Sequence, residues 1–266
     1  MASAICATST PVSGRHSIDG QVRRLRPALG TLCAIEAVGK VRLKNAIDHA
    51  FDAIQRVQQL MHPMHGDDLS RLNFTTGQVI SINEWTWQVL QLSKRLNELS
   101  DGVFDPCLPI KPGCTRDIEL LTNHQVVCHA PVMIDLGGIA KGFAIDRAID
   151  ALKLGGCDSG LVNAGGDVRV FGESQNLNMC FGEHVYRMEL SDKALAVSQF
   201  HQANRPAEHQ GYYQRNVKRL PLHKYAAVLA TTTVVADALT KCGLLLAPDR
   251  CETLTKNFDA QILFAK

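Results

Sequence analysis

Apolar side chains recur with a period near 3.6 residues in four stretches of this sequence, a pattern typical of helices that bury one face. The clearest stretch is 41–61, where nine apolar residues share a face. They are Val41, Leu43, Ala46, Ile47, Ala50, Phe51, Ile54, Val57 and Leu60. The other predicted helices are 84–99, 139–156 and 234–246.

Shorter apolar runs between the predicted helices indicate strands. They lie at 28–37, 79–82, 131–136, 160–172 (a strand–turn–strand pair), 177–198 (two or three antiparallel strands), 226–230 and 261–264. This alternation, without a repeat or a linker, predicts one α+β domain over residues 28–266, with antiparallel and mixed sheets packed by helices. Residues 1–27 are rich in Ser, Thr and Arg and predict a poorly ordered tail.

Composition excludes several classes of protein. The formal net charge is +2 and aromatic residues are 6%, which disfavours nucleic-acid binding. No window approaches 18 consecutive apolar residues and no secretory apolar segment begins the chain, so we expect a cytoplasmic protein without a membrane span. The nine cysteines are odd in number and contain no C-x-x-C pair, which favours buried thiols over disulfides or structural zinc.

Three stretches carry more Gly and Asp than packing requires. In the first, 135–142, an aspartate ends a predicted strand, two glycines follow, and a helix begins, an arrangement that suits a phosphate group. The alternative interpretation of this stretch is a glycine turn without a ligand, followed by a surface lysine, Lys141. The second, 163–167, and the third, 102–106, are each explained by a turn when taken alone.

The pair His62 and His65 lies on a proline-containing loop without a third ligand nearby, so we do not expect a metal there.

Taken together and in order, these stretches resemble one family. IDLGGIAKGFAIDRA, then LVNAGGDVRVFG, then VVADALT resemble the ApbE family, the FAD:protein FMN transferases, and the resemblance extends to Gly30-Thr31, to DDLSRLN at 67–73 and to GVFDP at 102–106. It implies binding of FAD with Mg²⁺ and cleavage of the pyrophosphate. The FMN moiety would pass to a threonine of a target flavoprotein while AMP leaves, although some members hydrolyse FAD instead.

The resemblance also implies roles for single residues. Val103, Phe104 and Asp105 would lie along the flavin, and Asp135 and Lys141 would contact FAD. The backbone carbonyl of Gly138 and the carboxylate of Asp237 would be metal ligands. Carbonyl and carboxylate oxygens suit a hard cation such as Mg²⁺.

The metal positions depart from the family pattern. A threonine four residues after the metal-binding aspartate is a family ligand, and here that position is Lys241, with Thr240 one residue earlier. Because residues i and i+4 share a helix face, the Lys241 ammonium would pair with Asp237 and occupy the place of the metal. Alternatively, the helix start is shifted and Thr240 serves as the ligand.

Other positions depart as well. The H-I-[I/L]-D-P motif, whose histidine helps to activate the acceptor hydroxyl, is absent, although His201, His209 and His223 lie in the corresponding region. The strand S-x-A-T-S-G reads Ala194–Gln199 without its threonine and glycine, and Pro63 or a neighbour replaces a flavin-contacting tyrosine. No catalytic residue is therefore assigned. The leading hypothesis is a Mg²⁺-dependent flavin transferase, and the alternatives are a non-catalytic FAD-binding paralogue and an FAD pyrophosphatase.

Overall fold

Six α-helices lie among the residues that the computed structural model describes, which are 8–9, 20–181, 184–200, 212–214, 217–219 and 221–265. They are α1 (Leu43–Met61), α2 (Leu69–Phe74), α3 (Glu84–Leu99), α4 (Ala140–Leu154), α5 (Thr233–Leu245) and α6 (Pro248–Lys256), and Thr115–Asp117 form one 3₁₀ turn. The four helices predicted from periodicity correspond to α1, α3, α4 and α5. The short helices α2 and α6 were not predicted.

The strands form one large sheet and three small ones. They are β1 (Thr8–Ser9), β2 (Gln21–Ala28), β3 (Thr31–Val38), β4 (Val79–Ser81), β5 (Ile118–Leu121), β6 (Gln125–Cys128), β7 (Ser159–Ala164), β8 (Asp167–Phe171), β9 (Gln175–Phe181), β10 (His184–Leu190), β11 (Ala194–Gln199), β12 (Tyr212–Gln214), β13 (Val217–Arg219), β14 (Tyr225–Ala230) and β15 (Gln261–Ala265). The large sheet has the order β15-β14-β11-β8-β7-β3-β2, and all its pairings are antiparallel. The small sheets are β1-β9-β10, β4-β6-β5 and β12-β13. The predicted α+β class is confirmed.

Both faces of the large sheet are buried at its middle strands, which send alternate side chains to opposite sides. In β7, Val162 joins the cluster shared with α1, α4 and α5, whereas its neighbour Leu161 joins a second cluster. That second cluster lies against the β9–β10 hairpin, which contributes Leu177 and Met179. The helices therefore cover one face of the sheet and the hairpin covers the other.

The apolar stripe predicted for 41–61 forms the buried face of α1. Eight of its nine side chains are buried. The exception is Val41, which lies before the helix begins and is 41% exposed. Helical periodicity therefore located this element and its buried face, but not its first residue.

Strand β2 begins at Gln21, within the segment that the sequence predicted as a poorly ordered tail, so the sheet begins before residue 28. Residues 1–7 and 10–19 lie outside the described ranges. The strand was missed because it is an edge strand with three arginines among its eight residues, and an edge strand needs little apolar surface. Arg24 and Arg26 both bind the carboxylate of Asp48 on α1, the former at 2.9 Å.

The strand predicted at 131–136 is only an isolated bridge between Ile134 and Cys107. Backbone bonds to an irregular segment hold it instead: the carbonyl of Met133 accepts the N–H of Leu108 at 2.7 Å, and the N–H of Asp135 donates to the carbonyl of Pro106 at 2.8 Å. Conversely, the hairpin of β5 and β6 was not predicted, because its four-residue strands are too short for a clear period.

Candidate functional site

The turn before α4 holds the first Gly/Asp-rich stretch. The Oδ1 atom of Asp135 accepts the N–H of Gly137 at 2.8 Å, and the carbonyl of Leu136 accepts the N–H groups of Ile139 and Ala140 at 2.9 and 2.8 Å. The residue before α4, Ile139, provides no side-chain cap. The carboxylate of Asp237 on α5 takes part of this role, because it accepts the N–H of Gly142 in the first turn of α4.

A buried asparagine fixes the backbone that leads into this turn. Asn73, on α2, accepts the N–H of Ile134 at 2.6 Å through Oδ1 and donates from Nδ2 to the carbonyl of Ile134 at 2.9 Å. Nδ2 also donates to the carbonyl of Pro63 at 3.1 Å. Since Ile134 directly precedes Asp135, the last residue of the DDLSRLN stretch positions the first residue of the turn.

Two buried lysine–aspartate pairs lie behind the turn. In the first, the Nζ atom of Lys141 on α4 binds Oδ2 of Asp167, at the start of β8. The other oxygen of Asp167 accepts the N–H of Val197 on β11 at 3.1 Å. The Asp167 side chain is 1% exposed, so this carboxylate is held by protein donors on both oxygens.

The second pair lies within α5. The Nζ atom of Lys241 binds Oδ1 of Asp237, four residues earlier, and Oδ2 of Asp237 accepts the N–H of Gly142 on α4 at 3.0 Å. Lys241 Nζ also lies 3.2 Å from Oγ of Ser198 and 3.2 Å from Oγ1 of Thr240. The ammonium is thus surrounded by three side-chain oxygens.

These four charges influence one another. Burial alone would raise the pKa of Asp237, but Lys241 and Lys141 hold that pKa below its usual range. Burial and the neighbouring charge of Asp237 raise the pKa of Asp167 to about 6, in spite of Lys141. Burial disfavours the charged form of Lys141, but Asp167 and Asp237 outweigh it and raise the pKa of Lys141. The Lys141 ammonium therefore stays charged at neutral pH.

Close contact between α4 and α5 sets the geometry of both pairs. A methyl group placed on Gly142 would lie 2.3 Å from the carbonyl oxygen of Thr233 and 2.8 Å from Cβ of Asp237, so only glycine fits there. Asp146, one turn later on α4, accepts the N–H groups of Thr233 and Val234, each at 2.9 Å, and thereby caps α5. Burial raises the pKa of Asp146, although Arg169 and these two N–H groups oppose the rise.

The structure brings several predicted residues together. A methyl group placed on Gly138 would lie 3.8 Å from Cε of Lys241 and 3.9 Å from Cε2 of Phe104, so the turn, the aromatic ring and the lysine converge. Val103 and Phe104 are buried, and Asp105 is half-buried. Oδ1 of Asp105 accepts the N–H of Cys107 at 2.8 Å and the hydroxyl of Thr115 at 2.6 Å. A role for residues 103–105 along a flavin stays a prediction.

The magnesium ion that the resemblance implies does not fit the described residues at this place. Mg²⁺ takes oxygen ligands at about 2.0–2.1 Å in octahedral geometry. Here one oxygen of Asp237 is paired with Lys241 and the other is bonded to Gly142, and the ammonium lies where the oxygens converge. Thr240, the alternative ligand, donates its hydroxyl to the carbonyl of Asp237 at 2.7 Å. Within the described ranges, no group of three or more His, Cys, Asp or Glu could hold a metal ion.

The candidate histidines are accounted for only in part. Nε2 of His223 lies 3.2 Å from the carbonyl of Leu246, whereas His201 and His209 lie outside the described residues. Nδ1 of His62 accepts the N–H groups of Met64 and His65, each at 3.2 Å, which gives this pair a structural explanation.

Sequence reasoning missed three residues of the site: Asp167, Ser198 and Asp146. The first was visible in the Gly-Gly-Asp stretch, but nothing local indicated that it pairs with Lys141. Ser198 and Asp146 lie in stretches that the resemblance covers, but nothing local indicated their partners, which are 43 and 87 residues away, at Lys241 and Thr233. Their roles depend on the sheet order and on the packing of α4 against α5.

Comparison with known proteins identifies the family of this chain. A model of the ApbE family matches residues 29–110 and 111–203, more than half of the chain. The chain belongs to the ApbE family. A curated relative, the FAD:protein FMN transferase of Treponema pallidum (strain Nichols), is 24% identical in an alignment 185 residues long that covers 56% of this chain. The match spans about half, 51%, of the length of that relative.

Solved ApbE structures share the fold. The ApbE protein of Thermotoga maritima aligns with a TM-score of 0.79 at 20% identity, over 91% of this chain and 93% of that one. The flavinyl transferase ApbE of Pseudomonas stutzeri, in its apo form, aligns with a TM-score of 0.75 at 16% identity, over 92% of each chain. In the part of the chain that the structure describes, no helix has both the length and the apolar character to cross a bilayer.

Proposed function

We propose that this ApbE-family protein is a flavin transferase that binds FAD at the turn before α4 and transfers its FMN moiety to a threonine of a partner flavoprotein. The observation that carries the proposal is the convergence of the Gly138 turn, the ring of Phe104 and the Lys241 ammonium, with Lys141 on the adjoining helix turn. An aromatic ring suits the planar flavin, and fixed cations suit a pyrophosphate. Both are parts of FAD.

The proposed reaction is a phosphoryl-type transfer. The threonine oxygen of the partner forms a bond to the phosphorus on the FMN side, and the bond from that phosphorus to the bridging oxygen breaks. AMP leaves with the bridging oxygen, and the hydroxyl proton passes to solvent or to a base. Cations held beside the phosphates, as Lys141 and Lys241 would be, stabilise the charge that develops on these oxygens.

The proposal includes no magnesium and no assigned base. Mg²⁺ dependence is implied by the resemblance alone, and the Lys241–Asp237 pair does not support it. Among the described histidines, His223 lies within hydrogen-bonding distance of a backbone carbonyl, and we give it no catalytic role. The residues of this chain would bind and orient FAD and neutralise its phosphates.

A second candidate function is FAD binding without transfer. The ion pair of Lys241 and Asp237 favours this function, because Lys241 stands where the resemblance implies a metal-binding threonine. Loss of a catalytic cation or base commonly lowers a rate by about 10²–10⁴. Such a protein would store flavin or assist the assembly of a partner.

One experiment separates these functions. The protein is incubated with FAD and an acceptor flavoprotein, in Mg²⁺ and in EDTA, and covalent flavin fluorescence and released AMP are both followed. Labelled acceptor with stoichiometric AMP supports transfer, whereas AMP without labelled acceptor identifies an FAD pyrophosphatase. Bound FAD with neither product identifies the non-catalytic binder, and absence of FAD binding refutes the proposal.

A matched pair of variants links the activity to the site. Lys141→Met should lower FAD affinity by tenfold or more, because it removes a partly buried cation beside the proposed phosphate position. Lys153→Met, on the last turn of the same helix, removes a lysine that lies over the ring of Phe171 and should leave FAD affinity within twofold. Equal effects of the two variants would contradict the placement of FAD at this turn.

A further inference from the structure

Three side-chain oxygens converge on the ammonium of Lys241. They come from two elements: Asp237 and Thr240 belong to α5, and Ser198 belongs to β11. An ammonium has three N–H donors and no acceptor, so three oxygens match its hydrogen-bonding capacity. Ser198 and Thr240 are also within 2.7 Å of each other, so the two hydroxyls form one connected group.

This pair is shielded from solvent. The side chain of Asp237 is 1% exposed and that of Lys241 is 17% exposed. A divalent ion that entered here would have to displace the ammonium from Asp237 and leave it without its counter-ion beside a second cation. Moving a buried charge away from its counter-ion is strongly unfavourable, so the lysine excludes the ion.

The Lys241 ammonium nevertheless lies at the position proposed for the FAD phosphates. The Lys241 side chain lies next to Gly138, whose turn leads into α4, and Gly138 in turn lies next to Phe104. Lys141 adds a second ammonium from the first turn of α4. Two tethered cations are thus held on neighbouring helices, each fixed by its own buried aspartate.

We infer that the Lys241 ammonium takes the place of a divalent cation, so that this protein binds the pyrophosphate of FAD without a metal ion. The ligand class rests on the function proposed above, whereas exclusion of the metal rests on the Lys241 contacts alone. A Lys241→Thr variant restores a hydroxyl one helix turn after Asp237 and should bind Mg²⁺. Because Mg²⁺ carries one positive charge more than the ammonium, the variant should hold FAD more tightly in Mg²⁺ than in EDTA.

The test has two arms that fail separately. In the first, Mn²⁺ binding to the protein without FAD is measured by electron paramagnetic resonance for the wild type, Lys241→Thr and Lys256→Thr. Lys256 forms an exposed i, i+4 pair with Glu252, so its variant loses a similar pair without opening the buried oxygen group. We expect Mn²⁺ binding at least tenfold tighter in Lys241→Thr than in the other two proteins.

In the second arm, FAD is titrated by calorimetry in Mg²⁺ and in EDTA. We expect the wild-type dissociation constant to change less than twofold and that of Lys241→Thr to rise tenfold or more on chelation. A tenfold weakening of the wild type in EDTA would overturn the inference, as would a folded Lys241→Thr protein that binds Mn²⁺ no better than the wild type. If Lys241→Thr does not fold, the wild-type titration and wild-type Mn²⁺ binding still decide the inference. If neither the wild type nor Lys241→Thr binds FAD, the proposed function fails, and the Mn²⁺ arm still decides whether Lys241 excludes the metal.

Discussion

Replacement of Asn73 by alanine should destabilise the protein and disturb the turn before α4. The Asn73 side chain is 2% exposed and bonds to both the N–H and the carbonyl of Ile134. Ile134 itself is 0% exposed, so water does not replace these bonds in the intact fold. The Asn73→Ala variant would therefore leave one donor and one acceptor of a buried residue unsatisfied.

The magnitude follows from these two groups. A buried polar group that loses its partner costs about 1–3 kcal/mol. The free energy of unfolding should therefore fall by about 2–4 kcal/mol after partial relaxation of the backbone. An Asn73→Asp variant separates hydrogen bonding from cavity formation, since it keeps the side-chain volume and the acceptor but loses the donor. It should also be destabilised, because the carboxylate would face the carbonyl of Ile134.

Urea unfolding is the appropriate assay, because a lower midpoint at an unchanged slope reports a loss of stability. The control is Asn257→Ala, which removes an exposed bond from Asn257 to the carbonyl of Thr253 and should cost no more than about 0.5 kcal/mol. The reasoning is refuted if Asn73→Ala costs no more than Asn257→Ala, or if Asn73→Asp is as stable as the wild type.

Three further predictions test other parts of the site. Gly142→Ala should cost about 1–3 kcal/mol in urea unfolding, because its methyl group would overlap the carbonyl oxygen of Thr233. Iodoacetamide labelling followed by mass spectrometry at pH 8 should leave Cys242 unlabelled in the folded state, since burial raises its pKa to about 12; rapid labelling would show that α5 opens. Asp167 has its pKa raised from 3.8 to about 6 by burial and by Asp237, so its contribution to stability is present below about pH 4 and is lost as the pH rises through 6. Urea unfolding between pH 4 and 7 should show a smaller decline for Asp167→Asn than for the wild type, and parallel curves would contradict this account.

Local rules predicted the long helices well. The stripe of α1 is so regular that periodicity sufficed, and periodicity also gave the observed bounds of α3. The structure shows that Asn83 caps α3 by accepting the N–H of Trp85. Local rules failed where an element depends on a distant partner. Strand β2 has an arginine-rich sequence that becomes a strand because β3 and Asp48 are beside it.

The same distinction applies to the candidate site. The pairing of Lys241 with Asp237 was predicted, since it follows from four residues of separation on one helix. The pairing of Lys141 with Asp167 was not, because it requires α4 to lie across the start of β8, 26 residues later. Ser198 could not be placed beside Lys241 without the order of the large sheet.

The two lysine–aspartate pairs depend on one contact between helices. Gly142 lets α4 approach α5, and its N–H binds the same Asp237 carboxylate that holds Lys241. Lys141 is the residue before Gly142, so any displacement of α4 relative to α5 would move both ammonium groups with respect to each other. The charge arrangement proposed to hold the FAD phosphates is therefore fixed by core packing, and variants that loosen this contact should weaken ligand binding and stability together.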